Sequence, residues 1–270
     1  MSDGLFDDGA VIRRVVREGS LLAGGGCAVL LQVSNPGVGL GVHEHSDFAY
    51  RPVDRLRTTM TYIYAVVFGT REEAERVGRI VSAMHRKVTG PTYSANDPEL
   101  QVWVNATLYH TGMRLHRALF GPLPEAQADE VYQQYRVLAT TIGTPEGAWP
   151  ANRTEFDAYW DLMIKSLRVN DEARFLARQL LEPELMPLAV RPLMRLHRFV
   201  TIGLLPEPIR EQFGFSWDER RQRRLNRLRR AAAIVYPRLP GALRQLPRNY
   251  YLADMRKRMK KTASRAPAAV

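Results

Sequence analysis

The strongest constraint on this chain is the recurrence of its apolar residues at helical spacing between glycine and proline stops. From Arg55 to Phe68 the positions Leu56, Met60, Ile63, Tyr64 and Val67 follow a period of about 3.6 residues, and Gly69 ends the run. The segment is rich in β-branched and aromatic residues, so propensity is neutral and periodicity decides for helix. Thr70 with Glu73 three residues on is a capping-box signature, and it predicts a helix that continues to Val88 before Gly90-Pro91. Asn96-Asp97-Pro98 opens a long helix over Glu99–Phe120, stopped by Gly121-Pro122, and Pro124–Ile142 forms another, closed by Gly143. Upstream, Ala10–Glu18, Leu21–Val33 and Val38–His45 read as helices. Asn35-Pro36 is a break between them, and Asp54 is the expected N-cap of the Arg55 helix.

Downstream, Thr154 with Asp157 is read as the cap of a helix through Tyr159 and Met163. Leu185–Gly203 is bent or broken by its prolines, and Ser216–Tyr236, Gly241–Leu246 and Tyr250–Lys261 follow as helices. Residues 1–9 and Thr262–Val270 are expected to be disordered. No stretch sustains the alternation of a strand, so the expected fold class is all-α. We divide the chain into one multi-helix globular domain over residues 10–250 and a basic C-terminal helix and tail over 251–270.

At 270 residues the chain can bury a substantial core, and its 45% apolar and 25% charged residues are ordinary for a globular protein. The nearly uncharged stretch Ser20–Val42 carries Gly24-Gly25-Gly26 and Asn35-Pro36, which argue against a straight membrane span. The start, Met1 to Asp8, is acidic where a secretory signal is basic, and the expected location is cytoplasmic. The single cysteine, Cys27, excludes an intrachain disulfide and a thiolate cluster, and its apolar neighbours predict a small buried residue.

The net charge of +11 is carried mostly by arginine, with a cluster at Arg220, Arg221, Arg223, Arg224, Arg227, Arg229 and Arg230. Trp217, Leu225, Leu228 and Ala232 give that helix an apolar face, so the arginines read as a solvated face or as partners of acids such as Glu211. No nucleic-acid reading motif accompanies them, and nucleic acid is not the expected partner. Peripheral contact with a membrane stays open.

Of six histidines, no pair has the HExxH arrangement, and His43 with His45 diverge on a helix by about 200°. His85 lies among Ile80, Val81, Met84 and Val88. Such a histidine suits a core contact to a carbonyl, and equally a single neutral axial ligand within apolar walls. Arg55 and Thr59 share one helix face a turn apart. They read either as a surface arginine and a hydroxyl bonded to its own helix, or as a pair that polarises bound oxygen. Arg57 competes for the guanidinium role.

Several blocks, taken in order, resemble the MpaB/rubber-oxygenase family, an all-α haem-protein group that includes the latex-clearing proteins. They are Leu30-Leu31-Gln32 with Asn35-Pro36, His45-Ser46-Asp47-Phe48, Arg55-Leu56-Arg57-Thr58-Thr59 and Val67-Phe68-Gly69-Thr70. His85 to Gly90, Asp97-Pro98 with Trp103 to Leu108, Phe120-Gly121-Pro122-Leu123, Gly203 to Pro206 with Arg210, and Pro237 to Pro240 extend the series. The resemblance spans roughly residues 20–250.

It implies a helical domain enclosing a haem b pocket, with His85 as the iron ligand. Arg55 and Thr59 are implied as catalytic residues on the distal side, with Arg55, Thr58 and His45 as further cofactor contacts. Phe48, Met60 and Tyr64 are expected to line the substrate cavity. The rubber-cleaving branch carries a lysine where this chain has Thr58, so the implied activity is oxidation of a small or lipid-like substrate with dioxygen or peroxide, rather than polyisoprene cleavage. An electron donor is a possible further partner. The alternatives are a non-catalytic haem-binding protein and a cofactor-free basic helical interaction protein.

Overall fold

The computed structural model describes residues 3–45, 52–182 and 190–263, and among them the fold is all-α with one two-stranded hairpin. In chain order the helices are α1 (Val11–Val16), α2 (Gly25–Val33), α3 (Pro36–His45), α4 (Pro52–Phe68) and α5 (Arg71–His85). The hairpin, β1 (Thr89–Gly90) and β2 (Tyr93–Ser94), is followed by α6 (Pro98–Phe120), α7 (Glu125–Thr140), α8 (Arg153–Ser166) and α9 (Asp171–Leu181). Then come α10 (Arg191–Leu204), α11 (Glu207–Gln212), α12 (Glu219–Val235), α13 (Gly241–Arg244) and α14 (Leu246–Ala263).

The long helix α6 is the spine. Asp97 caps it, with the carboxylate accepting from the Glu99 amide, and Pro98 occupies its first turn. Trp103 and Ala106 of α6 are fully buried against α2. Six consecutive residues of α4, Tyr62 to Val67, are buried. This helix is enclosed on all sides, which is why it tolerates aromatic and β-branched residues that an exposed helix would disfavour. Part of that cover is α14, whose Leu252 and Met255 are buried.

Two local arrangements set the positions of the site helices. Asn35 accepts from the Gly37 amide through its Oδ1 at 3.0 Å, so α3 starts anew at Pro36 at 106° to the preceding helical segment. The glycine at position 78 lets α5 touch the end of α7, since a Cβ there would stand 2.6 Å from the Thr141 carbonyl oxygen. Ser82 donates to the Ile142 carbonyl at 2.8 Å, and this second tie holds the last turn of α5 in place.

Several expectations need correction. The start of the chain is packed: Phe6 is buried, and the Asp3 carbonyl accepts from the Arg71 amide at 2.6 Å. Helix α4 begins at Pro52, so Asp54 lies inside it; a proline suits the first turn because its missing N–H has no helical partner there. The capping box at Thr70 and Glu73 forms as read, but α5 ends at His85, three residues before Val88. Asn152, with Glu155, caps α8 in place of Thr154. Tyr250 falls within a helix that starts at Leu246. Residues 185–189 of the predicted Leu185–Gly203 helix are outside the described region, as are residues 264–270 of the tail.

His110 stacks on Trp160 with ring centroids 3.6 Å apart, and burial, aided by Arg114, lowers its pKa to about 3. His85, His116 and His197 are shifted downward by burial as well. Below the ordinary histidine value of about 6.5, the unfolded chain takes up protons that the folded chain refuses. Stability is therefore expected to fall as pH drops below about 6.5, and for His110 the loss runs down to about pH 3, by up to about 1.4 kcal/mol per pH unit. Calorimetry at pH 7 and pH 4 should show a lower melting temperature in acid, and His110→Phe should flatten the dependence. A variant with the parent's slope would remove His110 from this account.

Candidate functional site

Helices α3, α4, α5 and α6, the hairpin and Ile142 enclose a cavity of about 460 Å³. Its walls are largely apolar, with Val38 and Val42 from α3, Val81 and Met84 from α5, and Val104 and Leu108 from α6. Gly37 and Gly41 bring the α3 backbone close on one side; a Cβ at Gly41 would press the Tyr93 ring at 3.3 Å. The small-residue helix therefore forms one wall of the cavity.

His85, Arg55, Thr58, Thr59 and His45 all line this cavity. His85 is half-buried at the last residue of α5, and its Nδ1 is buried with no hydrogen-bond partner. Burial, reinforced by the nearby Arg55 guanidinium, holds its pKa below the usual histidine range. The imidazole is accordingly neutral at pH 7, with a nitrogen available to a ligand. Arg55 is itself half-buried, and burial lowers its pKa from the usual arginine value. An arginine keeps its charge under such conditions, so the cavity contains a fixed cation.

Arg57 points elsewhere: it forms a bidentate ion pair with Asp254 of α14, with Nε at 2.9 Å from Oδ2. Of the two competing arginines, Arg55 is the one in the cavity. In the cofactor-free protein, Arg55→Gln is expected to raise the His85 pKa toward the ordinary range, whereas Arg57→Gln should leave it in place. An NMR titration of the ring protons distinguishes them, and equal responses would contradict this geometry.

At the rim, His45 Nε2 lies 3.2 Å from the Thr89 carbonyl and 3.0 Å from the Tyr93 hydroxyl. Tyr93 donates to the Glu44 carboxylate, which pushes the tyrosine pKa up to about 12. Since that hydroxyl proton is committed to Glu44, His45 Nε2 carries the proton shared between Thr89 and Tyr93. Sequence reading missed Tyr93 and Glu44, because a two-residue strand gives no periodicity to read.

It also missed the polar floor. Gln32 donates to the Thr107 hydroxyl at 3.0 Å, and Thr144 donates to Gln101 Oε1 at 2.6 Å. Asn105 donates to the Gln101 carbonyl at 3.0 Å. The signal available was polar residues on otherwise apolar helical faces.

Met60 and Tyr64 were expected in the cavity wall and are not there. Tyr64 is fully buried and stacks on Tyr251 of α14 at 6.0 Å, because residues 62 and 64 on one helix point about 200° apart. Tyr62 lines the cavity in its place. Phe48 lies outside the described residues. Cys27 is a buried thiol whose pKa burial pushes up to about 12, in keeping with a structural residue.

Residues 12–234 match the family described as ER-bound oxygenase mpaB/B'/rubber oxygenase, catalytic domain. Two mycobacterial proteins are similar: the uncharacterised protein Mb2261 of Mycobacterium bovis and the uncharacterised protein Rv2237 of Mycobacterium tuberculosis. Each is 34% identical over 238 residues, covering 84% of this chain and 93% of its own. No solved structure matches the chain significantly.

Proposed function

The chain belongs to the mpaB/rubber-oxygenase family, and on that premise we propose that it is a haem b-dependent oxygenase with His85 as the iron ligand. The observation that carries this reading is the neutral His85 imidazole, with a buried unpartnered nitrogen, in the wall of a mostly apolar cavity. Among the described residues no three His, Cys, Asp or Glu side chains converge to hold a bare ion. A haem brings its own ring nitrogens and needs one protein ligand from this wall, so the donor set fits it. When bound, haem supplies the activation of dioxygen or peroxide, which no amino-acid side chain performs.

The chain's own residues have distinct tasks. The Arg55 guanidinium and the Thr59 hydroxyl stabilise negative charge that develops on oxygen, and the apolar surroundings strengthen both. Thr58 and His45 are proposed as further contacts of the cofactor at the edge of the cavity. Val104, Leu108 and their neighbours exclude water and favour a small or lipid-like organic substrate.

The test is to purify the protein, add hemin if it is colourless, and record its absorption spectrum with a pyridine haemochrome titration. A Soret band at one haem per chain is expected, followed by consumption of dioxygen or peroxide when an electron donor and candidate substrates are supplied. The absence of saturable binding after reconstitution would overturn the proposal.

A further inference from the structure

From Arg220 to Ala253 the sequence holds ten arginines and no aspartate or glutamate. Inside that stretch, the end of α12, the turn after it, α13 and the start of α14 expose a run of large apolar side chains. Ile234 is 58% exposed, Leu243 53%, Leu246 56% and Tyr250 62%, and Val235 and Leu239 are exposed between them. Scattered exposed leucines are ordinary on a protein surface, but six large apolar side chains exposed along seventeen consecutive residues are more than scatter.

The segment is anchored. Tyr236 donates to Glu18 and accepts from the Ser20 amide at 3.0 Å, and Arg244 pairs with the buried Glu18 at 2.9 Å. These two residues and the half-buried Arg248 turn inward, while the apolar residues between and beside them in the chain are exposed. Arg227, Arg229 and Arg230, on the turns of α12 just before Ile234, are exposed and form no ion pair with an acid among the described residues.

We propose that this face, from Ile234 to Tyr250 with the α12 arginines beside it, docks the protein on an anionic lipid bilayer. Aliphatic side chains and a tyrosine flanked by arginines match the boundary between acyl chains and acidic headgroups. A second copy of the chain would set one arginine field against another, which charge repulsion opposes. Nucleic acid would leave the aliphatic residues without a partner, since binding there uses phosphate contacts and stacking rings. Among the described residues no single helix is long and apolar enough to cross a membrane, and the contact proposed for this face is with the bilayer surface. Through α14, which packs on α4, the docked face adjoins the helix that carries Arg55 and Thr59.

The experiment is flotation of the full chain with vesicles of phosphatidylcholine alone or with one quarter phosphatidylserine. Binding to the anionic vesicles is expected to exceed that to neutral ones by roughly tenfold or more and to weaken with added salt. Leu243→Asp with Leu246→Asp should lower anionic binding by roughly tenfold without changing the melting temperature, because both residues are exposed. Arg227→Gln with Arg230→Gln should reduce the salt dependence. Equal binding to both vesicle types, no binding, or full binding by the leucine variant would overturn the proposal. A DNA mobility shift without vesicle binding would do so in favour of nucleic acid. A dimer lost in the leucine variant, again without vesicle binding, would do so in favour of a second copy. The measurement requires no haem, so its failure is separate from failure of the oxygenase reading.

Discussion

His85→Ala is expected to abolish stoichiometric haem binding: after reconstitution the wild-type Soret band at one equivalent should be replaced by weak, unsaturable association. The loss should exceed the roughly 10–100-fold typical of removing an outer-shell partner, because on the proposed reading the substitution deletes the iron ligand itself. The fold should be unaffected. His85 is half-buried at the end of α5, its Nδ1 makes no hydrogen bond, and α5 remains held by its capping box and by Ser82. A melting temperature equal to the wild type's would separate loss of a ligand from loss of structure. His45→Ala is the comparison: His45 is an edge contact held at the rim by Thr89 and Tyr93, so that variant should weaken haem binding without abolishing the stoichiometric band. Full retention of haem by His85→Ala would sink the assignment.

Trp103→Ala should have the largest effect on stability, on the order of 3–5 kcal/mol. Trp103 is fully buried at the centre of α6 and packs on Trp160 with ring centroids 5.4 Å apart. Its indole nitrogen donates to the Leu31 carbonyl at 3.1 Å. That carbonyl lies in the last turn of α2, where a helix leaves its acceptors without helical donors. The substitution therefore removes the ring and strands a buried carbonyl at once. Trp103→Phe keeps much of the packing and should cost about 1–3 kcal/mol for the lost hydrogen bond. Domains of this kind are stable by only about 5–15 kcal/mol, so denaturant titration should resolve both losses and their order. Similar losses for Phe and Ala would mean that the hydrogen bond dominates over the packing.

His85, Arg55, Thr58, Thr59 and His45 were chosen from the sequence, and all five line one cavity. The choice between Arg55 and Arg57 was not legible. Two residues apart on a helix, they face different neighbours, and which one meets Asp254 depends on where α14 lies. Tyr64 shows the same limit, since helical spacing identifies a buried stripe without saying what buries it. The rim formed by Glu44, His45 and Tyr93 joins residues nearly fifty positions apart through a hairpin too short to leave a pattern.

Fold class, most of the helix stops and the family follow from local patterns in the chain. Apolar period, capping residues and glycine or proline breaks act within a few residues of each other, and they need no knowledge of the rest of the chain. Long-range packing selects which faces of those helices meet. It set Gly78 against Thr141, closed α14 over α4, turned Arg55 into the cavity and Arg57 out of it, and left the Ile234–Tyr250 face uncovered. Those outcomes depend on close packing between segments far apart in sequence, where an added methyl group at one glycine or an ion pair across two helices changes which side chain points where.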